Sequence, residues 1–165
     1  MKIAGLRLGL RAGFVTAVLI AAGCSAGGDS ETLATAQQAL TQGVPYRVRA
    51  IDYTAFQDSD TLHEGNCGTG PVDAETTSDP STPCNIGWTK SSEWLEYSIQ
   101  ASSTGKFNII SRVASGPTGR TFHLSIDGTT VGGSQTVPSA GWQAFADRTL
   151  TDVSLAAGTH TLRPT

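Results

Sequence analysis

The sequence predicts an all-β fold, a β-sandwich, for the part of the chain that follows residue 43. Short runs of alternating apolar and polar residues recur at close spacing there, and clusters of Gly, Pro, Ser and Thr separate them. The same region carries no helical periodicity of useful length. The total length of 165 residues favours a single folded domain.

Seven candidate strands follow one another in this region. Asp127-Gly128, between two alternating runs, is a strong signal for a hairpin turn. The candidate strands are residues 46–53, 93–99, 105–114, 120–126, 129–136, 142–150 and 158–163. Their apolar residues supply most of the predicted core, namely Ile109, Val113, Phe122, Leu124, Ile126, Val131, Leu155 and Leu162.

Residues 1–23 have the pattern of an export signal. Lys2, Arg7 and Arg11 accompany an apolar stretch, residues 12–22, that is short for a membrane span. Ala-Ala-Gly before Cys24 resembles the lipobox of bacterial lipoproteins, in which the cysteine is lipidated after cleavage. We expect export and a lipid anchor on Cys24 in the bacterial cell envelope; an ordinary signal and secretion are the alternative.

The segment after the signal differs in composition from the rest of the chain. Residues 24–43 are mostly small and polar, so they cannot bury much surface. We predict a flexible tether over 24–43 and the folded domain over 44–165.

The remaining two cysteines form an even pair. Cys67 and Cys84 stand 17 residues apart, and an exported chain folds where disulfides persist. A bridge between them would contribute about 3 kcal/mol in the chain-entropy model. Two lone cysteines without a CxxC or HxxxH pattern are too few ligands for a metal site. We therefore predict a disulfide.

The charge of the chain argues against one class of partner. There are 11 Lys and Arg residues against 14 Asp and Glu. Three of the basic residues lie in the predicted signal, so the remaining eight leave a net charge of −6. Proteins that bind nucleic acid present a basic face, so we expect no nucleic-acid partner.

Three tryptophans lie among polar residues and turn formers rather than in apolar runs. Trp88 follows Asn-Ile-Gly and Trp142 follows Pro-Ser-Ala-Gly, so both are expected at loop edges. Strand alternation places Trp94 on the same face as Glu96, opposite Tyr97. An exposed indole is a flat apolar plate that a ligand or partner covers, and the C–H face of a pyranose ring suits it.

An ordered series of motifs resembles family 6 carbohydrate-binding modules, jelly-roll β-sandwiches appended to many polysaccharide-degrading enzymes. Each motif alone is weak, and their order along the chain makes the resemblance specific. The motifs are AIDY (50–53), VDAETTSD (72–79), CNIGW (84–88), SEWLEY (92–97), GKF (105–107), RVAS (112–115), LSIDG (124–128), GWQAF (141–145) and LAAGTHTLR (155–163).

The resemblance implies a sugar site in the loops at one end of the sandwich. Trp88 and Trp142 match the two aromatic residues that grip a sugar ring, and Glu75 matches the carboxylate that accepts hydrogen bonds from its hydroxyls. The alternatives are loop aromatics that cap the core and a solvated loop acid. Trp94 is either a second ligand contact on the concave sheet face or a partly covered surface residue. The implied partner is a polysaccharide or oligosaccharide.

The chain departs from the family pattern in two places. The family's opening motif carries two glutamates that help to hold a structural calcium, whereas this chain has Arg49 and Ile51 there and retains only Asp52. We therefore expect no cofactor. The sequence stops at Thr165, where the family pattern continues for a further strand, whose asparagine completes the sugar site. We expect a truncated module with an unpaired sheet edge and marginal stability that calcium does not rescue.

The sequence contains no recognisable catalytic constellation. Glu93 and Glu96 are three positions apart on a predicted strand, so they point to opposite faces and cannot flank one glycosidic bond. His63, His123 and His160 are scattered, and no nucleophile motif accompanies them. We predict a non-catalytic polysaccharide-binding lipoprotein. The alternatives are a structural or adhesion lipoprotein without sugar binding, and the binding remnant of a secreted glycoside hydrolase.

Overall fold

The described part of the chain is built from β-strands alone. The computed structural model describes residues 1–10, 46–59, 64–68 and 70–165. Two antiparallel sheets form in these ranges, which confirms the predicted all-β sandwich. Within the same ranges no helix is long and apolar enough to span a membrane. Cys24, His63, the predicted tether and the apolar stretch of the predicted signal lie outside the described residues.

The first sheet has six strands. They are β1 Lys2–Leu10, β2 Tyr46–Arg49, β4 Ala74–Thr76, β5 Cys84–Ile86, β7 Gly105–Ser115 and β10 Gly141–Leu155. Their order is β10-β7-β1-β5-β4, and β2 also pairs with β1. Strand β1 is therefore central, with β7 along one side and both β2 and β5 along the other.

The second sheet has five strands. They are β3 Ala55–Gln57, β6 Trp94–Ala101, β8 Thr121–Ile126, β9 Thr129–Thr136 and β11 Gly158–Pro164, in the order β3-β6-β11-β8-β9. Strand β11 pairs with β6 and β8. Strand β11, the last strand of the given sequence, therefore lies inside its sheet and is not an edge strand.

Strands β2 and β6 to β11 match the seven predicted strands, with ends that differ by a few residues. Strand β2 ends at Arg49 rather than at residue 53 because the chain turns there, with the Asp52 N–H donating to the Arg49 carbonyl at 3.0 Å. Three of the strands that the sequence did not predict, β3, β4 and β5, have three residues each and are too short to show periodicity.

The fourth unpredicted strand is β1, in the segment that the sequence assigned to an export signal. Ile3, Leu6 and Leu8 are buried in the core between the sheets. The register shifts between Ile3 and Gly5, so β1 carries an irregularity beside its β7 partner. A side chain at Gly5 would meet the Val48 carbonyl oxygen at 2.9 Å, so glycine permits the close approach of β2.

The core follows the alternation of the strands. Along β6, Leu95, Tyr97 and Ile99 are buried, as predicted, and the buried Tyr97 hydroxyl donates to the Ala50 carbonyl at 2.8 Å. Seven of the eight predicted core residues are buried, and Val131 packs against the core with part of its surface exposed. The core also contains apolar residues of β1, which no sequence pattern assigned to it.

The predicted disulfide between Cys67 and Cys84 is confirmed, with Cα atoms 5.8 Å apart. It links the loop before β4 to the first residue of β5. The Cys67 N–H donates to the Ala74 carbonyl at 3.1 Å, so the same loop is also held by the backbone of β4. The two short strands at the edge of the first sheet are thereby fixed to each other.

Candidate functional site

Trp88 projects from the loop that leaves β5. Its backbone has a φ of 46°, in the left-handed region that bulky residues rarely adopt, and 40% of its surface is exposed. Such strained positions persist where the surrounding structure fixes them, and they cluster at functional sites. The loop thus holds a large apolar side chain at the surface instead of burying it.

Trp142 lies in a bulged part of β10. Gly141 pairs with Ser115 and Ala146 with Val113, so five steps along β10 oppose two along β7. The three extra residues move Trp142 out of the regular sheet, and 48% of its surface is exposed. Its indole lies against Gly116, where a Cβ would come within 2.6 Å of the ring.

Glu75 on β4 is held beside these loops by amide side chains. It pairs across the strands with Asn85, and its Oε1 accepts hydrogen bonds from Gln143 Nε2 at 2.6 Å and Asn85 Nδ2 at 3.3 Å. Gln143 Oε1 in turn accepts from the Thr77 hydroxyl at 2.9 Å and from the Ser78 N–H at 3.2 Å. The residue after Trp142 therefore connects the bulge of β10 to the segment that follows β4.

An ion pair fixes the segment that follows β4. Arg112 Nε donates to the buried Asp79 carboxylate at 2.6 Å, and the Ser81 N–H donates to it at 2.9 Å. Burial would raise the pKa of Asp79, but the hydrogen bonds from Ser81 and Arg112 outweigh it and hold the pKa below its usual value. The carboxylate thus stays ionised and keeps the segment after β4 in place beside Gln143.

Lys2 places its ammonium group at the centre of this arrangement. Its Nζ lies 5.3 Å from the Trp88 ring centroid and 5.7 Å from the Trp142 ring centroid. It also forms an ion pair with Oε1 of Glu75. The structure therefore brings together three residues that the sequence assigned to one site, with a lysine between them. We refer to the space bounded by Trp88, Trp142 and Glu75 as the tryptophan cleft.

The sequence reasoning did not identify Asn85, Gln143 or Lys2 as site residues. Asn85 and Gln143 stand in the motifs CNIGW and GWQAF next to the tryptophans, so a signal was available for both. Lys2 gave no such signal, because it is the first basic residue of a typical export sequence.

Trp94 lies in the other sheet and has partners of its own. Its Nε1 donates to Gln57 Oε1 at 2.8 Å, and the Arg163 guanidinium carbon lies 4.2 Å from its ring centroid. Arg163 also pairs with Glu96, its Nε donating at 3.0 Å. Trp94 lines a cavity of about 410 Å³ to which neither tryptophan of the cleft contributes.

The opening motif provides a poor cation site. Asp52 accepts hydrogen bonds from Arg49 Nη2 at 2.7 Å and Nε at 2.9 Å. This hydrogen bonding lowers the pKa of Asp52, but the same guanidinium places a positive charge where a calcium ion would have to bind. No cluster of three or more potential metal ligands occurs among the residues that the structure describes.

The carboxylates and histidines that were considered for catalysis have separate partners. Glu93 accepts from the Ser59 hydroxyl at 2.5 Å and from the Lys90 N–H at 2.6 Å. His160 Nδ1 lies 2.7 Å from Asp127, in the predicted role of a strand residue. None of these contacts connects them to the tryptophan cleft.

Comparison with known proteins identifies relatives of this fold. Residues 64–165 match the family described as carbohydrate binding module (family 6). The C-terminal family 6 module of LamC, a marine laminarinase from Zobellia galactanivorans, is 27% identical over 70% of this chain and 82% of the module, with a TM-score of 0.55. The module CBM6cm-2 of Cellvibrio mixtus lichenase 5A, in complex with cellotriose, is 25% identical over the same shares, with a TM-score of 0.54. No curated protein matches the chain.

Proposed function

Because this chain belongs to carbohydrate-binding module family 6, a non-catalytic family, we propose that it binds a polysaccharide by stacking a sugar ring between Trp88 and Trp142. The observation that carries the proposal is that both exposed indoles lie against one point, 5.3 Å and 5.7 Å from the same Lys2 nitrogen. The ring centroids are therefore at most 11.0 Å apart. A ring in contact with both indoles needs a separation of about 7–8 Å, twice the distance between carbon atoms in contact, and this lies within that limit.

The proposed hydrogen-bonding groups lie beside the stacking position. Glu75 supplies a carboxylate that accepts from sugar hydroxyls, and hydrogen bonds to charged groups are the stronger ones. The amides of Asn85 and Gln143 already hold its Oε1, so its orientation does not depend on the ligand. The cellotriose bound to the Cellvibrio module supports an oligosaccharide as the class of ligand.

Affinity electrophoresis of the full chain in a panel of soluble polysaccharides tests this function. Trp88→Ala and Trp142→Ala are expected to abolish the retardation of the band while leaving the thermal transition in place. Trp94→Ala is the matched control, and its retardation is expected to remain. Equal retardation of the wild type and both cleft variants would reject the stacking role.

For Trp94 we propose the role of a covered sheet-face residue. Its N–H is satisfied by Gln57 and one face carries the Arg163 guanidinium, so stacking a sugar there would displace an existing cation–π contact.

We also propose that the protein is an exported lipoprotein with Cys24 acylated and anchored in the bacterial cell envelope. The disulfide supports export, because such bonds persist in oxidising compartments. Intact mass of the protein isolated from its host tests it: the expected mature chain begins at a lipid-bearing Cys24. Cleavage there would remove β1 and with it Lys2, so the mature chain would present the tryptophan cleft without the Lys2 ammonium. A different N-terminus, or an unmodified Cys24, would contradict the anchor.

One observation favours the second candidate, a structural or adhesion lipoprotein without sugar binding. The Lys2 ammonium occupies the position that a ligand would take. If no polysaccharide or oligosaccharide changes the tryptophan fluorescence of either the wild-type chain or a Lys2→Ala variant, the second candidate replaces the first.

A further inference from the structure

The Lys2 ammonium reveals what kind of group the tryptophan cleft accommodates. Its distances to the two ring centroids fall within the range of about 6 Å in which cation–π attraction operates. Glu75 supplies the counter-charge. Only 10% of the Lys2 side chain and 18% of the Glu75 side chain are exposed, so water screens this pair weakly.

The chemistry of the cleft favours a cation over a neutral group. The faces of both indoles carry negative potential, and tryptophan binds cations more strongly than the other aromatic residues. The Glu75 carboxylate adds a full negative charge to the same space. A hydroxyl group can donate one hydrogen bond to this carboxylate, but it gains neither the cation–π attraction nor the ionic attraction.

We propose that the cleft selects amino sugars, with a protonated amine of the sugar taking the place of the Lys2 ammonium. This inference rests on the proposed function, since the sugar ring still stacks between Trp88 and Trp142. Its ligand class is a polysaccharide with free primary amines, such as polymeric 2-amino-2-deoxyglucose. The acidic balance of the chain outside residues 1–23, with eight basic against 14 acidic residues, favours association with such a cationic polymer.

Lys2 competes with this ligand in the uncleaved chain, and removal of the predicted signal would relieve this competition. The backbone of Lys2 pairs with Ala114 of β7, so β1 holds the ammonium in the cleft at a high effective concentration. Removing the side chain beyond Cβ should empty the cleft while β1 retains its backbone pairing. Lys2→Ala is therefore expected to bind amino-sugar oligomers more tightly than the wild type.

The test is a titration of the full-length Lys2→Ala chain, followed by tryptophan fluorescence. The ligands are three β-1,4-linked hexasaccharides, built from glucosamine, N-acetylglucosamine and glucose. We expect the glucosamine hexamer to bind about tenfold more tightly than the other two, since a desolvated ammonium over indole adds this much. Acetylation removes the charge and retains the ring, so the acetylated hexamer isolates the contribution of the amine.

Two further variants separate the cleft from general electrostatics. In Lys2→Ala with Glu75→Gln, both hexamers should bind more weakly, and the preference for glucosamine over glucose should fall, because glucosamine loses an ionic attraction whereas glucose loses only the charge on its hydrogen-bond acceptor. Lys106→Ala removes an exposed lysine near the opposite end of β7, where Lys106 pairs with Ser154, and should bind as the wild type does. If Lys2→Ala unfolds below the assay temperature, Lys2→Met keeps the alkyl chain beside Gly87, and the same ranking of ligands is expected.

The outcomes distinguish the inference from the proposed function. Equal affinities for all three hexamers, or tighter binding of the glucose hexamer, would overturn the selection of amino sugars and leave polysaccharide binding intact. Unchanged preference in the Glu75→Gln background would also overturn it. Absence of binding by every hexamer would reject the selection of amino sugars, and the polysaccharide panel described above would then decide whether the proposed function fails as well.

Discussion

Two regions of this molecule combine a tryptophan, a cation and a glutamate, and they differ in how the parts are assembled. In the tryptophan cleft, Lys2 faces Trp88 and Trp142 and pairs with Glu75. On the face of the second sheet, Arg163 stacks on Trp94 and pairs with Glu96. We call the second region the sheet-face cluster.

The difference lies in the backbone that carries each group. Trp94 and Arg163 stand on the adjacent strands β6 and β11, so the sheet-face cluster is a local cross-strand contact. In the tryptophan cleft, Trp88 lies on a loop and Trp142 on a bulge. The cation, Lys2, lies on β1, 73 positions before Glu75 in the sequence. Side chains on loops are the ones that proteins commonly use for binding, whereas cross-strand pairs stabilise a sheet. Under the proposed function, the same three kinds of group bind a ligand in the tryptophan cleft and stabilise the sheet in the sheet-face cluster.

The largest expected effect tests whether β1 brings Lys2 to the cleft. Leu6 and Leu124 are buried to the same degree, at 2% and 1% exposure, in the first and the second sheet. Leu6→Ala and Leu124→Ala should each lower the free energy of unfolding by about 2–5 kcal/mol. Chemical denaturation of the full-length variants measures both. If Leu124→Ala lowers the free energy of unfolding and Leu6→Ala does not, β1 does not belong to the folded core. Lys2 would then not be held in the tryptophan cleft.

The next effect concerns the disulfide, which links the loop before β4 to β5 in the sheet that carries Glu75. Cys84 begins β5, and the chain reaches Trp88 directly after this strand. Replacing both Cys67 and Cys84 by serine should lower the free energy of unfolding by about 3 kcal/mol, as expected for a loop of this length. Denaturation of oxidised and reduced wild type should give the same difference. Reductant should have no effect on the double variant, and a shift there would show that another process responds to it.

The tryptophans themselves should separate binding from stability. Trp88→Ala and Trp142→Ala are each expected to reduce the free energy of polysaccharide binding by about 1–3 kcal/mol or more, as for other desolvated aromatic anchors. Trp94→Ala should leave binding within about 0.5 kcal/mol and lower the thermal stability instead, since it loses partners within its own sheet. Binding is measured by titration and stability by thermal melts. A loss of binding in Trp94→Ala would instead indicate that Trp94 on the sheet face contacts the ligand.

The smallest expected effect is a pH dependence that belongs to the second sheet. His160 stands on β11 with Arg163, and its hydrogen bonds to the Asp127 carboxylate and the Ala156 carbonyl raise its pKa. A raised pKa in the folded state stabilises the fold below the unfolded value of about 6.5. This stabilisation is lost as the pH rises through the raised value. Melting temperatures across this window should fall slightly for the wild type and stay level for His160→Gln; parallel curves would refute the assignment.

The alternation of side chains was sufficient to predict most of the fold. Strands β2 and β6 to β11 follow from it because each spans at least four residues, over which a buried face can be distinguished from an exposed one. Strands β4 and β5 are too short for that pattern, yet they carry Glu75 and precede Trp88. Their positions depend on pairing with each other and on the Cys67–Cys84 bridge.

The sequence by itself determined the class of fold, the disulfide and the three residues that define the tryptophan cleft. Each depends on local information: side-chain alternation, an even pair of cysteines, and Trp88, Trp142 and Glu75 in ordered motifs. Only the tertiary structure decided that Lys2–Leu10 forms a central strand and that its lysine enters the cleft. A basic residue before apolar ones fits an export signal and a strand equally well. The strand depends on pairing with β2, β5 and β7, which are distant in sequence and adjacent only in the folded sheet.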